Sequence, residues 1–157
     1  MTVIPMSLPS KLMLQPWTEH DTPGFHPLSP YVEFCYLPVL GPTATWLYRR
    51  LGGMVACNGQ IEVDLADLAT SMGLGRSIGP NSKLARSLGR LVHHNVARWD
   101  AIEMMSVRTE LPPLSPLRVR RLPFTERVCH EYAVERLAEQ SRRPVASQSV
   151  ESWNGYL

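Results

Sequence analysis

Lys83, Arg86, Ser87, Arg90 and His94 recur at spacings of three and four in the segment NSKLARSLGRLVHHN, so on a helix they share one side. Leu84, Leu88, Leu91 and Val92 fall on the other side and form an apolar stripe. A face of this kind can recognise phosphate. Each Lys or Arg at a DNA phosphate releases condensed counterions, and the planar Arg fork also matches O6 and N7 of guanine. Asn81 or Ser82 is expected to cap this helix, which should run to about Asn95, and both could aim backbone N–H groups at a phosphate. A solvated surface helix, or a helix that docks on another protein, would show the same charges.

Arg118, Arg120 and Arg121 form the densest basic cluster. They could grip flanking phosphate, or pair with Glu126, Glu131 and Glu135 of a following helix. Other chemistry has less support. His93 and His94 point about 100° apart on a helix, with no Cys or carboxylate at ligand spacing, so no metal site is expected. Cys35, Cys57 and Cys129 are far apart and odd in number, which suits buried or free thiols in a reducing compartment better than a disulfide framework or a redox sensor. No phosphate-cradling glycine loop, zinc-protease helix or nucleophile elbow occurs, so neither an enzyme nor a cofactor is expected.

The elements that would position the basic face can be read from local signals. Eight prolines in the first 42 residues, among them Pro5, Pro9 and Pro16, suggest that residues 1–30 form an extended arm with little regular structure, whose Leu12, Leu14, Trp17 and Phe25 could still pack against a body or a partner. The apolar segment from Tyr31 to Leu37 leads to Gly41-Pro42, a turn and helix start. The first helix should cover Thr43 to Leu51 and stop at Gly52-Gly53. Gln60 to Val63 suits a short strand, and Asp64 should cap a second helix that ends at Gly73. After the basic helix, Val96 to Trp99 and Glu103 to Arg108 flank a break near Asp100-Ala101 and read as a β-hairpin. Residues 31–110 would then be one domain, followed by a basic, proline-containing connector over 111–123, a helix over 124–140 and a weakly ordered tail over 141–157. The expected fold is mainly α with a small β-hairpin.

The segments VLGPTATWLYRRL, VDLADLATSMGLG, NSKLARSLGRLVHHNVARW and LPPLSPLRVRRLP resemble winged helix-turn-helix DNA-binding proteins, in the broad sense that includes MarR-like and ArsR-like regulators. More narrowly, they look like a group of small actinobacterial proteins that share these blocks. The resemblance covers about residues 31 to 123. It implies a recognition helix in the major groove, exposing Asn81, Ser82, Lys83, Arg86, Ser87 and Arg90, and a wing whose Arg98 and Arg108 touch the DNA backbone or minor groove. The acidic tip Asp100-Ala101-Ile102-Glu103 favours backbone contact over groove insertion. The implied function is transcription regulation on double-stranded DNA, by a homodimer that pairs through the arm, the first helix or the helix at 124–140. The alternative is an interaction module that holds a protein partner.

Charge distribution agrees with this placement. Between Arg49 and Arg121 there are 11 Lys and Arg against 6 Asp and Glu, a balance of +5; the rest of the chain has 5 against 8, or −3, and the two sum to +2. Fourteen of the 16 basic residues are Arg, the better fork for phosphate and guanine. An apolar share of 44% suits a globular chain of one compact domain with extensions. No apolar run approaches the ~18–20 residues of a membrane span, and the prolines near the start argue against a signal peptide. A cytoplasmic location is the expectation.

Overall fold

The computed structural model describes residues 5–19 and 23–142. Among these residues six α-helices and a four-stranded mixed sheet give an α+β fold, not the mainly α domain with a lone hairpin expected from sequence. The difference comes from β1 (Lys11–Trp17), which lies inside the stretch expected to be an extended arm. Leu12 and Leu14 alternate with Lys11 and Met13, and both leucines are fully buried. Burying a leucine contributes roughly 1.5–3 kcal/mol, which favours a paired strand over a solvated arm. Pro16 does not prevent this. It falls beyond the last residue that pairs with β2, where the missing N–H removes no bond on that side.

The sheet order is β2-β1-β4-β3. β2 (Ile61–Asp64) runs antiparallel to β1, with Leu14 opposite Ile61, and β4 (Met104–Arg108) runs parallel to it, with Leu14 opposite Met105. β3 (Ala97–Ala101) closes the hairpin with β4, and its pairing shifts register between Trp99 and Ala101. Gln15 joins the strands through its side chain, donating to Ser106 Oγ and Asp100 Oδ2, each at 3.0 Å.

Val32–Tyr36 form a π-helical turn that runs into α1 (Leu37–Leu40). Gly41, with φ 81°, turns the chain into α2 (Pro42–Asn58). This helix passes through Gly52-Gly53, where a stop was expected. A Cβ on Gly52 would sit 2.7 Å from Pro27 Cγ, so the glycine is there to admit Pro27 against the helix. The actual stop is Gly59, whose N–H bonds to Val55 O at 2.9 Å with φ 68°.

α3 (Leu65–Ser71) is capped by Asp64, whose Oδ1 accepts from Asp67 N at 2.9 Å. α4 (Lys83–His93) is capped by Ser82, whose Oγ accepts from Ala85 N at 3.1 Å. It ends at His93, two residues short of the expected Asn95, which takes the left-handed conformation at φ 61° just beyond the cap. Leu84, Leu88 and Leu91 pack into a core shared with Leu47, Tyr48 and Leu51 of α2 and Leu12, Leu14 and Met105 of the sheet.

The connector is also part of the body. Leu111, Leu114 and Leu122 are buried, and Pro116–Val119 make a single turn, α5. Tyrosine hydroxyls fix its path: Tyr36 donates to Pro112 O at 2.6 Å, and Leu114 N donates to Tyr31 Oη at 2.9 Å. α6 (Phe124–Arg142) follows where a helix was expected, and residues 141 and 142, assigned to the tail, belong to it. The rest of the expected tail lies outside the described residues.

Candidate nucleic-acid interface

The outer face of α4 is built by its period. At 100° per residue Lys83, Arg86 and Arg90 fall within an arc of about 60°, away from Leu84, Leu88 and Leu91. All three basic residues are exposed. Among the described residues none of them forms an ion pair, whereas Lys11, Arg49, Arg76 and Arg98 each face a carboxylate within 4.0 Å. Among the described residues Arg90 is the only one of the three with a side-chain hydrogen bond, a long one of 3.4 Å from Nη2 to Val39 O. A shallow groove of about 300 Å3 separates this face from the start of α2, with Gly41 to Ala44 on one side and Lys83, Arg86 and Arg90 on the other.

Ser87 does not belong to the exposed set. It is 7% exposed, and its hydroxyl donates to Lys83 O at 2.8 Å. On the helical wheel it lies about 40° from Leu91, at the edge of the buried stripe. Ser82 is half-buried and occupied as the cap, while Asn81 is exposed in the turn before it.

The basic strip continues past the end of α4. Arg118, from α5, donates Nη2 to Nδ1 of His94 at 3.4 Å. His94 is held below the usual imidazole value by burial first, then by the charges of Arg118, His93 and Arg90. Arg120 and Arg121 are exposed. Of the two uses weighed for this cluster, no ion pair among the described residues joins it to Glu126, Glu131 or Glu135.

Arg98 and Arg108 are engaged within the fold. Both guanidiniums stack on Trp17 of β1, with Cζ 4.6 Å and 3.9 Å from the ring. Arg98 also faces Asp100 at 3.2 Å and Glu19 at 3.5 Å. Arg108 donates Nε to Asn95 O at 2.7 Å and Nη1 to Glu19 O at 3.4 Å. The sequence marks Trp17 as an arm residue able to pack on the body, but not its arginine partners, which lie on strands about 80–90 residues away.

Cys35 is buried, its thiol directed at Glu126 O at 3.7 Å. Burial pushes its pKa up to about 12, with further upward pressure from Cys129 and Glu126, so it is not a reactive thiolate. Among the described residues no three His, Cys, Asp or Glu side chains cluster to hold a metal, and no helix is long and apolar enough to cross a membrane.

No family model, curated protein or solved structure matches this chain. The geometry of α4 therefore stands on its own.

Proposed function

We propose that the protein is a DNA-binding transcription regulator that reads duplex DNA through α4. One observation carries this reading: Lys83, Arg86 and Arg90 stand together on the outer face of a rigidly packed helix, with no acid paired to them among the described residues. Three exposed cations on one helix face with no carboxylate beside them make a surface suited to a polyanion. The succession α2, β2, α3, α4 and the β3–β4 hairpin supports a winged helix-turn-helix, with β1 added between β2 and the hairpin.

In this reading Arg86 and Arg90 reach base edges or phosphates in the major groove. Lys83, Asn81 and Arg118 contact the backbone at the two ends of α4, and Arg120 and Arg121 lie on the flank. Arg98 and Arg108 act mainly by stacking on Trp17 to hold the hairpin in place. One helix spans only a few base pairs, so recognition calls for a homodimer. The exposed residues Phe124 (74%), Val128 (48%) and Tyr132 (60%) line one face of α6 at spacings of four and are the surface offered to the second copy.

Selection of bound sequences from random duplex DNA tests this. A palindromic consensus is expected; no enrichment by the intact chain would refute it.

A further inference from the structure

A hollow of about 310 Å3 opens where the end of α4 meets the proline-rich connector. Arg108 reaches it from β4 and Arg118 from α5, while His94 and Asn95 form one rim. Tyr36 and Leu114, both buried, back it with apolar surface. Among the described residues its lining contains no Asp or Glu.

Among the described residues no carboxylate pairs with either arginine. The guanidinium hydrogen bonds of Arg108 go to the backbone carbonyls of Asn95 and Glu19, while the carboxylate of Glu19 is turned to Arg98. Among the described residues the Arg118 guanidinium has one hydrogen bond, to Nδ1 of His94. Glu110, two residues after Arg108, accepts instead from Gly24 N at 3.1 Å. Both guanidiniums act on Tyr36: burial raises its phenol pKa, and Arg118 and then Arg108 pull it back down. Two cations therefore converge on one apolar-backed hollow, with no counter-ion among the described residues. Sites for small organic ligands combine apolar walls with a few convergent polar groups, and Arg presents a fork suited to carboxylate and phosphate.

We propose that this hollow binds a small organic anion, a carboxylate or phosphate on a compact apolar body, gripped by Arg108 and Arg118. The proposal does not rest on the DNA reading. His94 and Asn95 form the turn that ends α4, so the ligand sits against the end of the basic helix.

The test uses the full chain without DNA. Sodium benzoate and inorganic phosphate are titrated separately at constant ionic strength, and the amide resonance of Asn95 is followed by NMR. A saturable shift is expected with at least one probe. Arg118→Gln should weaken it at least tenfold, and Arg118→Lys should restore part of it. Lys83→Gln combined with Arg86→Gln should leave it unchanged. Arg118 is half-exposed on a single turn, and an unchanged melting temperature verifies that its variants fold. Shifts that stay linear with both probes would overturn the proposal, as would saturation that survives Arg118→Gln or an equal loss in the Lys83/Arg86 variant. If neither probe saturates and duplex DNA, added in a separate titration, moves Asn95, the two arginines are backbone-phosphate contacts and no small-ligand site exists.

Discussion

Arg108 lies over the ring of Trp17 with its guanidinium carbon 3.9 Å from the ring centroid, and this contact ties β4 to the strand beside it. Arg98 stacks on the same ring, so one indole anchors an arginine from each strand of the hairpin. Trp17→Ala should cost about 3–5 kcal/mol, as large aromatic deletions in cores do. Urea unfolding measures it; a loss below about 1 kcal/mol would mean that the stack is incidental.

β1 is expected to be indispensable. Leu14→Ala should destabilise the protein by roughly 2–5 kcal/mol, the range for leucines deleted from packed cores. An extended arm would tolerate the same change within about 0.5 kcal/mol, the usual span for surface substitutions. Thermal melts of the variant distinguish the two.

The helices around the basic face were legible in the sequence because their signals are local. Asp64 and Ser82 lie next to the apolar periods they cap, and Lys83, Arg86 and Arg90 fall on one side of any helix drawn through them. β1 was not legible. Its parallel partner is about 90 residues away, and no local pattern distinguishes a proline-interrupted alternating run in an arm from one in a sheet. Gly52-Gly53 misled for a related reason: the reason for glycine there is Pro27, packed on from a distant segment. Ser87 was misplaced because it sits at the boundary of the buried arc, where a small hydroxyl that bonds back to Lys83 O fits as well as an apolar group. The stacking of Arg98 and Arg108 needed the sheet order to be known.

The cap of α4 should matter to stability. Ser82→Ala removes the acceptor for Ala85 N and should cost about 1 kcal/mol, while Ser82→Asp should retain most of the stability. Denaturant midpoints check this; an alanine variant as stable as the parent would count against the cap.

Acidification should destabilise the fold. His26, His94 and His130 are all held below the usual imidazole value of 6.5, in each case first by burial. In the unfolded chain they take up protons as the pH falls through 6.5, and in the folded chain only at lower pH. The unfolded state therefore binds more protons in that window, so their contribution is complete above pH 6.5 and declines below it. The melting temperature should be lower at pH 5.5 than at pH 7.5, and His94→Gln should reduce the difference. A higher melting temperature at pH 5.5 would contradict this.

If α6 joins two copies, Val128→Glu combined with Tyr132→Glu should convert a dimer to a folded monomer, since both side chains are exposed in the single chain. Light scattering after size exclusion reads the mass directly. A monomeric parent protein at tens of micromolar would remove the dimer from the proposal.

The most direct test of DNA reading through α4 is the salt dependence of duplex binding by Arg86→Ala combined with Arg90→Ala, followed by fluorescence anisotropy. Each phosphate contact contributes a slope of about −0.9 to log affinity against log salt. If both arginines contact phosphate, the double variant should keep its melting temperature, bind more weakly and lose about 2 from the slope. Equal affinity and an equal slope in the parent and the variant would take α4 out of the interface.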